Sequence, residues 1–182
     1  MEKNKELEIN ELKFQLMLDE VAIQHRIDEL GRTLRENNVG KNPVFLGILN
    51  GSFIFMADLV RAYGTPCEVS FIRLSSYDGL ASSGEVMTVI GLTDPLEDRD
   101  VVIVEDIIDS GKTMDKFLPT LKEMNPKSIT LVTFLLKPDA LKYEFPIDLI
   151  GFEIPDKFVI GYGLDYDEQG RNLKGIYQLK ED

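Results

Sequence analysis

Glu105, Asp106 and Asp109 stand just before Ser110-Gly111-Lys112-Thr113, and Val101-Val102-Ile103-Val104 stands just ahead of them. Four β-branched residues predict a buried strand. The small residues after the acids predict a turn that opens a helix. A strand, a glycine turn and a helix start present bare backbone N–H groups to an anion. Carboxylates beside such a cradle suit a phosphorylated ligand that also carries hydroxyl groups, a metal or a developing positive charge.

Gly111-Lys112-Thr113 also ends a Walker A loop, which requires a glycine five positions before Gly111. That position is Asp106, preceded by Glu105. Acids there would repel a triphosphate, so the pair argues against a nucleoside triphosphatase. The plainer alternative is a buried strand running into an ordinary capped helix. Three carboxylates around an apolar run are poor material for it.

The run Val101 to Thr113 resembles the phosphoribosyl-pyrophosphate (PRPP) motif of type I phosphoribosyltransferases. Residues Gly151-Phe152-Glu153-Ile154-Pro155-Asp156-Lys157-Phe158-Val159-Ile160-Gly161-Tyr162-Gly163-Leu164-Asp165-Tyr166 resemble the signature of the hypoxanthine-guanine subfamily. The likeness covers the chain from about Val44 onward, with a weaker match in the N-terminal helix. It implies an α/β fold: a mainly parallel, twisted sheet flanked by helices, with a small hood. One domain over 1–182 is expected, its core at about 39–155 and its hood from the N-terminal segment and about 156–182. The implied reaction moves the 5-phosphoribosyl group of PRPP to hypoxanthine or guanine through an oxocarbenium-like state. Its products are IMP or GMP and pyrophosphate, its metal Mg²⁺, its role purine salvage. A homodimer or homotetramer is implied by the same likeness.

The resemblance also implies roles. Asp109 to Thr113, with the Ser110 and Thr113 hydroxyls and the helix N-terminus, would hold the 5-phosphate. Glu105 and Asp106 would bind the ribose hydroxyls and, indirectly, Mg²⁺. Asp109 would serve as general base or acid at the purine N7; an N-cap alone is its plainer role. Asn50 and Gly51 match the pyrophosphate loop, where the family often has Lys or Arg in place of Asn50 and sometimes a cis peptide. Ser76 and Tyr77 match a flexible loop that closes over the sugar and keeps water out. Lys137 matches the residue that donates to O6 of a 6-oxopurine. Phe158 matches the ring that stacks on the purine, and Val159 supplies backbone contacts to its edge. Asp165 matches a ligand of Mg²⁺, and Arg171 an arginine that reaches pyrophosphate. Asp167 and Glu168 read as a solvated acidic turn.

Composition limits the partners. Acidic residues outnumber basic ones 32 to 20, for a formal charge of −12. That opposes broad binding to nucleic acid or an anionic membrane. It still permits a small polyphosphate, which local amides and Mg²⁺ can hold. The single cysteine, Cys67, reads as a small sheet or core residue in a reducing, cytoplasmic setting. The one histidine, His25, falls off the apolar stripe of its helix and reads as a surface residue. Met1 to Asn10 is charged and lacks an apolar signal region. No apolar run is long enough for a transmembrane span.

Periodicity predicts the elements that must position these groups. Ile23, Ile27, Leu30 and Leu34 form one face of a helix over 19–38, with Asp19 as its N-cap. Val44 to Leu49 is a continuous apolar run, suited to a parallel strand covered on both faces. An apolar helix follows over 53–63. Strands are expected at 67–73, 86–92, 101–104 and 128–136, with a polar mobile loop over 74–85. Met114, Phe117, Leu118, Leu121 and Met124 predict a helix that Pro119 would deprive of one hydrogen bond and bend. Alternating strands and helices give a parallel sheet whose carboxyl edge carries ligands. Asn50, Glu105, Asp106 and Lys137 all fall at that edge.

Two competitors remain at this level. An RNA-binding regulator could reuse a PRPP motif, but it needs a basic face. A transferase for xanthine or adenine is the other. An ammonium at Lys137 disfavours a 6-aminopurine, whereas the 2-position of the base is read by backbone groups that sequence does not display.

Overall fold

The computed structural model describes residues 6–77, 86–92 and 95–180. Six strands form the larger sheet. They are β3 (Val44–Leu49), β4 (Glu68–Tyr77), β5 (Val86–Ile90), β6 (Asp100–Ile108), β7 (Ser128–Leu136) and β8 (Leu149–Glu153), in the order β5-β4-β3-β6-β7-β8. All neighbours are parallel except β4 and β5, which pair antiparallel. A smaller antiparallel sheet has the order β1-β2-β10-β9, built from β1 (Glu6–Ile9), β2 (Leu12–Leu18), β9 (Val159–Ile160) and β10 (Ile176–Leu179). The expected parallel sheet, helices and hood are therefore present.

Strand alternation splits the core in two. Phe45, Val102, Val104 and Phe134 face α1 (Glu20–Asn37) and α2 (Phe53–Tyr63). Val44, Leu46, Val101 and Ile103 face α3 (Lys112–Glu123), which contributes Met114, Phe117, Leu118 and Leu121. Asp19 caps α1 by accepting the Ala22 N–H at 2.8 Å. The stripe Ile23, Ile27, Leu30 and Leu34 is buried as the spacing predicts, and His25 is exposed. Gly31 lets α1 lie directly on α2: a Cβ there would stand 2.6 Å from the carbonyl carbon of Ala62.

The acidic pair lies inside β6 rather than after it, because the strand continues through Ile108 against β7. The hairpin β1–β2 and the edge strand β8 were not expected, although Leu12, Phe14 and Leu16 of β2 do alternate with Lys13 and Gln15. Strand β4 runs on through Ser76 and Tyr77, which pair with Met87 and Val86. These two were expected in a loop; they stand instead at the end of a hairpin, and 78–85 lies outside the described residues. Ser and Tyr are acceptable strand residues once β5 supplies ladder partners, so polarity misled here. Helix α3 runs through Pro119 without a break. Having no N–H, Pro119 cannot bond the Asp115 carbonyl one turn back. Cys67 sits half-buried just before β4, and burial pushes its thiol up.

Replacing Gly31 with Ala should drive the two helices apart and cost about 1–3 kcal/mol, the usual range for overpacking. Urea denaturation of Gly31→Ala measures this; an unchanged midpoint would mean that the contact is slack.

Candidate active site

Strand β3 leads through α2 to β4 on one side of the sheet. Strand β6 leads through α3 to β7 on the other. The chain thus changes direction between β3 and β6, where open α/β sheets bind ligands at their carboxyl ends. The two strands pair only from Val44–Val101 to Gly47–Val104. Beyond that point they are free to part, and Asn50–Gly51 follows one strand and Asp109–Gly111 the other.

The period of two sends the acids to opposite faces of β6. Glu105 follows Val101 and Ile103 toward α3, and lines a cavity of about 100 Å³ with Asp109 to Thr113. Gly111 adopts φ +82° and is the N-cap of α3. The Lys112 N–H meets the Ser110 hydroxyl at 3.4 Å, and the turn aims the start of the helix, where an anion is favoured, at that cavity. Asp109 caps nothing, so the plainer role open to it on sequence grounds does not hold.

Asp106 follows Val102 and Val104 to the other face. There it packs on Gly51, where any Cβ would collide with its carboxylate. The Cα of Gly163 lies against the Gly51 carbonyl in the same way, with Gly163 at φ +104°. The Leu49–Asn50 peptide is cis. Arg171 donates from Nη1 to the Gly163 carbonyl at 3.0 Å and from Nη2 to Asp165 at 2.8 Å. Asp165 also accepts the Glu168 N–H at 2.9 Å. Asp167 and Glu168 have φ of 51° and 62°, as in a type I′ turn, and are exposed.

The base side is built from three segments. Lys137 directly follows β7 and is buried, 7% exposed. Its ammonium donates to Asp109 at 2.7 Å and to Asp156 at 3.3 Å. Phe158 is 44% exposed and rests on an aromatic group, 5.8 Å from Tyr166 and 6.3 Å from Phe14. One face of the ring is therefore supported and another is open. Leu179 donates its N–H to the Phe158 carbonyl at 2.8 Å. The next pair, Val159–Gln178, is then of the non-hydrogen-bonded kind. The N–H and C=O of Val159 point away from β10, at the free edge of the sheet. Tyr162 ties this segment to α2, its hydroxyl donating to Asp58 at 2.6 Å.

A family model described as phosphoribosyl transferase domain matches residues 17–167. The chain belongs to the phosphoribosyltransferase family. It is 40% identical over 176 residues to the hypoxanthine-guanine phosphoribosyltransferase of Aquifex aeolicus, covering 96% of this chain and 99% of that one. Against the Bacillus subtilis protein of the same name the identity is 42% over 166 residues, covering 91% and 92%. A solved hypoxanthine phosphoribosyltransferase from Staphylococcus aureus superposes with a TM-score of 0.84 at 39% identity, covering 91% of this chain and 90% of that one. The bifunctional TilS/HprT protein of Listeria monocytogenes is 43% identical over 166 residues, and this chain spans about a quarter of its length.

Electrostatically, this phosphoribosyltransferase holds its acids under tension. Burial, aided by the Asp106 charge, raises the Glu105 carboxyl well above the usual range, and Glu105 Oε2 is buried without a hydrogen-bond partner. Burial also pushes Asp106 up to about 6 from 3.8. A site with an orphaned acceptor and two acids raised by burial is short of donors, which hydroxyl groups or a cation would supply. Asp156 was quoted in the signature but given no role. Only its approach to Lys137 through the fold gives it one.

A carboxyl whose folded pKa is raised favours the folded state most when protonated. The Asp106 penalty is thus absent below about pH 4, grows as the pH rises through 6, and is full at neutrality, at about 2–3 kcal/mol. Asp106→Asn should be more stable than the wild type by about that much at pH 7.5 and nearly equal to it at pH 4. Thermal denaturation across that range checks the sign; a constant difference between the two proteins would contradict it.

Proposed function

We propose that this chain is a hypoxanthine-guanine phosphoribosyltransferase acting in purine salvage, with PRPP and a 6-oxopurine as substrates. The observation that carries the reading is the Asp109–Lys137 pair. N7 and O6 of such a base are adjacent on one edge and suit paired polar groups. Asp109 Oδ2 and Lys137 Nζ, 2.7 Å apart, match that spacing with one acceptor and one donor. A 6-aminopurine would set its own donor against the ammonium and be rejected.

The chemistry then follows from position. The purine lies on Phe158, with the backbone of Val159 at its edge. The cradle from Asp109 to Thr113 holds the 5-phosphate. Glu105 and Asp106, at the open end of β6, accept from the ribose hydroxyls. The bond from the anomeric carbon to pyrophosphate breaks as N9 of the base attacks that carbon, and the proton on N7 passes to Asp109. Asp109 Oδ2 exchanges its bond with Lys137 for one to N7, while Asp156 keeps a hold on the ammonium. Little covalent work falls to the protein, so orientation and electrostatics supply most of the rate. Gly51, the amide of Asn50 and Arg171 receive the departing pyrophosphate. Ser76 and Tyr77, at the hairpin end, belong to the segment that covers the sugar.

Among the described residues, no group of three or more His, Cys, Asp or Glu side chains forms a cage for a metal. The donors fit a cation that arrives with its own oxygen ligands, as Mg²⁺ does with polyphosphates. Asp165 would hold it directly, and Glu105 and Asp106 through the ribose hydroxyls. When bound, Mg²⁺ neutralises charge on the leaving pyrophosphate. No helix of the described residues is long and apolar enough to cross a membrane. A cytoplasmic homodimer or homotetramer is part of this reading, with no nucleic-acid partner.

The test is turnover with PRPP and Mg²⁺ against hypoxanthine, guanine, xanthine and adenine in turn. Hypoxanthine or guanine should react, chelation should stop the reaction, and adenine should be inert. Turnover of adenine alone, or of no base, would overturn the assignment. Asp109→Asn should lower kcat about a hundredfold or more with little change in the KM for PRPP. Lys137→Ala should raise the KM for hypoxanthine about tenfold or more and leave PRPP binding largely intact; equal loss of both would make the lysine a support of the fold.

A further inference from the structure

We propose that Arg73 is a pyrophosphate-binding residue, a second guanidinium that works opposite Arg171 on the same leaving group. The inference rests on the reading of Asn50 and Gly51 as the pyrophosphate loop.

Its first support is placement. Arg73 lies in the middle of β4, in register with Leu49, the last residue of β3. Phe71, two residues earlier, packs on the core cluster shared with Val104, whereas Ile72 belongs to the opposite cluster. Alternation therefore sends Arg73 to the face of the sheet that carries Asp106. There it is exposed, and its Nη2 donates to Asn50 Oδ1 at 2.8 Å. Asn50 leads into Gly51, Gly51 meets Gly163, and Gly163 accepts from Arg171. The rim of the crevice thus runs Arg73, Asn50, Gly51, Gly163, Arg171, with an arginine at each end.

The second support is charge. A pyrophosphate at this loop has Asp106 and Asp165 nearby, on a chain of net charge −12. Lys137 already lies between Asp109 and Asp156. Arg171 lies between Asp165 and Glu168. Both cations are largely matched by carboxylates. The described partner of the Arg73 guanidinium is a neutral amide, which cancels none of its charge. A guanidinium carries five N–H donors in a fixed fork suited to paired phosphate oxygens. One bond to Asn50 aims the fork and leaves the charge for an anion. Asn50 is then a positioning residue, holding Arg73 beside the loop whose amides face the same group.

Calorimetric titration of wild type, Arg73→Ala and Arg73→Lys tests this, with pyrophosphate plus Mg²⁺ as one probe and IMP alone as the other. Arg73→Ala should weaken pyrophosphate about tenfold, with IMP affinity kept within about twofold. Arg73→Lys should recover part of the loss, since it keeps the charge but not the fork. In turnover, the KM for PRPP should rise with that for hypoxanthine unchanged. Unaltered pyrophosphate affinity in Arg73→Ala overturns the proposal. So does an equal loss for IMP, which would mark Arg73 as a prop for the loop. A wild-type chain that binds pyrophosphate but turns over no 6-oxopurine would defeat the proposed function and leave this assignment standing. One that binds no pyrophosphate defeats this assignment.

Discussion

The parallel pairing of β3 with β6 ends at Gly47 and Val104, and everything chemical lies past that point. While paired, the strands are covered on both faces by apolar side chains and have no place for a polar ligand. Once they part, their ladder groups and following loops need other partners. The glycine turn at Gly111 and the close seat of Gly51 on Asp106 meet that need from the two sides. The crevice is a consequence of connectivity: β3 turns toward β4 and β6 toward β7, so no chain crosses between them.

The strand period then distributes the work. Consecutive acids on a strand cannot share one face, so Glu105 goes to the phosphate cradle and Asp106 to the pyrophosphate loop. Each is partly or wholly withdrawn from water at a site with few donors. Such acids weaken the empty fold and are tolerated where a ligand completes their bonding. Lys137 shows the complementary arrangement. It is a buried cation between two carboxylates, so removing either acid leaves the other to hold it.

The smaller sheet closes the site from above without sharing strands with the larger one. Its contacts include the shared apolar core, where Tyr162 packs on Phe134, the approach of Gly163 to Gly51, and the Tyr162–Asp58 hydrogen bond. The segment that carries Asp165 and Arg171 is thereby joined to the loop that begins α2. Groups for the base, the phosphate and the leaving pyrophosphate come from separate parts of the chain, yet each depends on the backbone of another.

Sequence alone determined the elements with strong periodicity. The stripe of α1, the apolar run of β3, the run Val101 to Thr113 and the face of α3 are each local patterns that one burial geometry satisfies. The residue types at the site were equally legible, because carboxylates and a glycine turn beside an apolar strand have few structural uses. Strands such as β1, β2 and β8, and the polar end of β4, went unrecognised: they are short or polar, and pairing with a neighbouring strand is what fixes them. Tertiary structure alone decided which polar groups meet. The contacts of Lys137 with Asp109 and Asp156, and of Arg73 with Asn50, join residues 19 to 28 positions apart. Such pairings are set by sheet order and register, which no local propensity encodes.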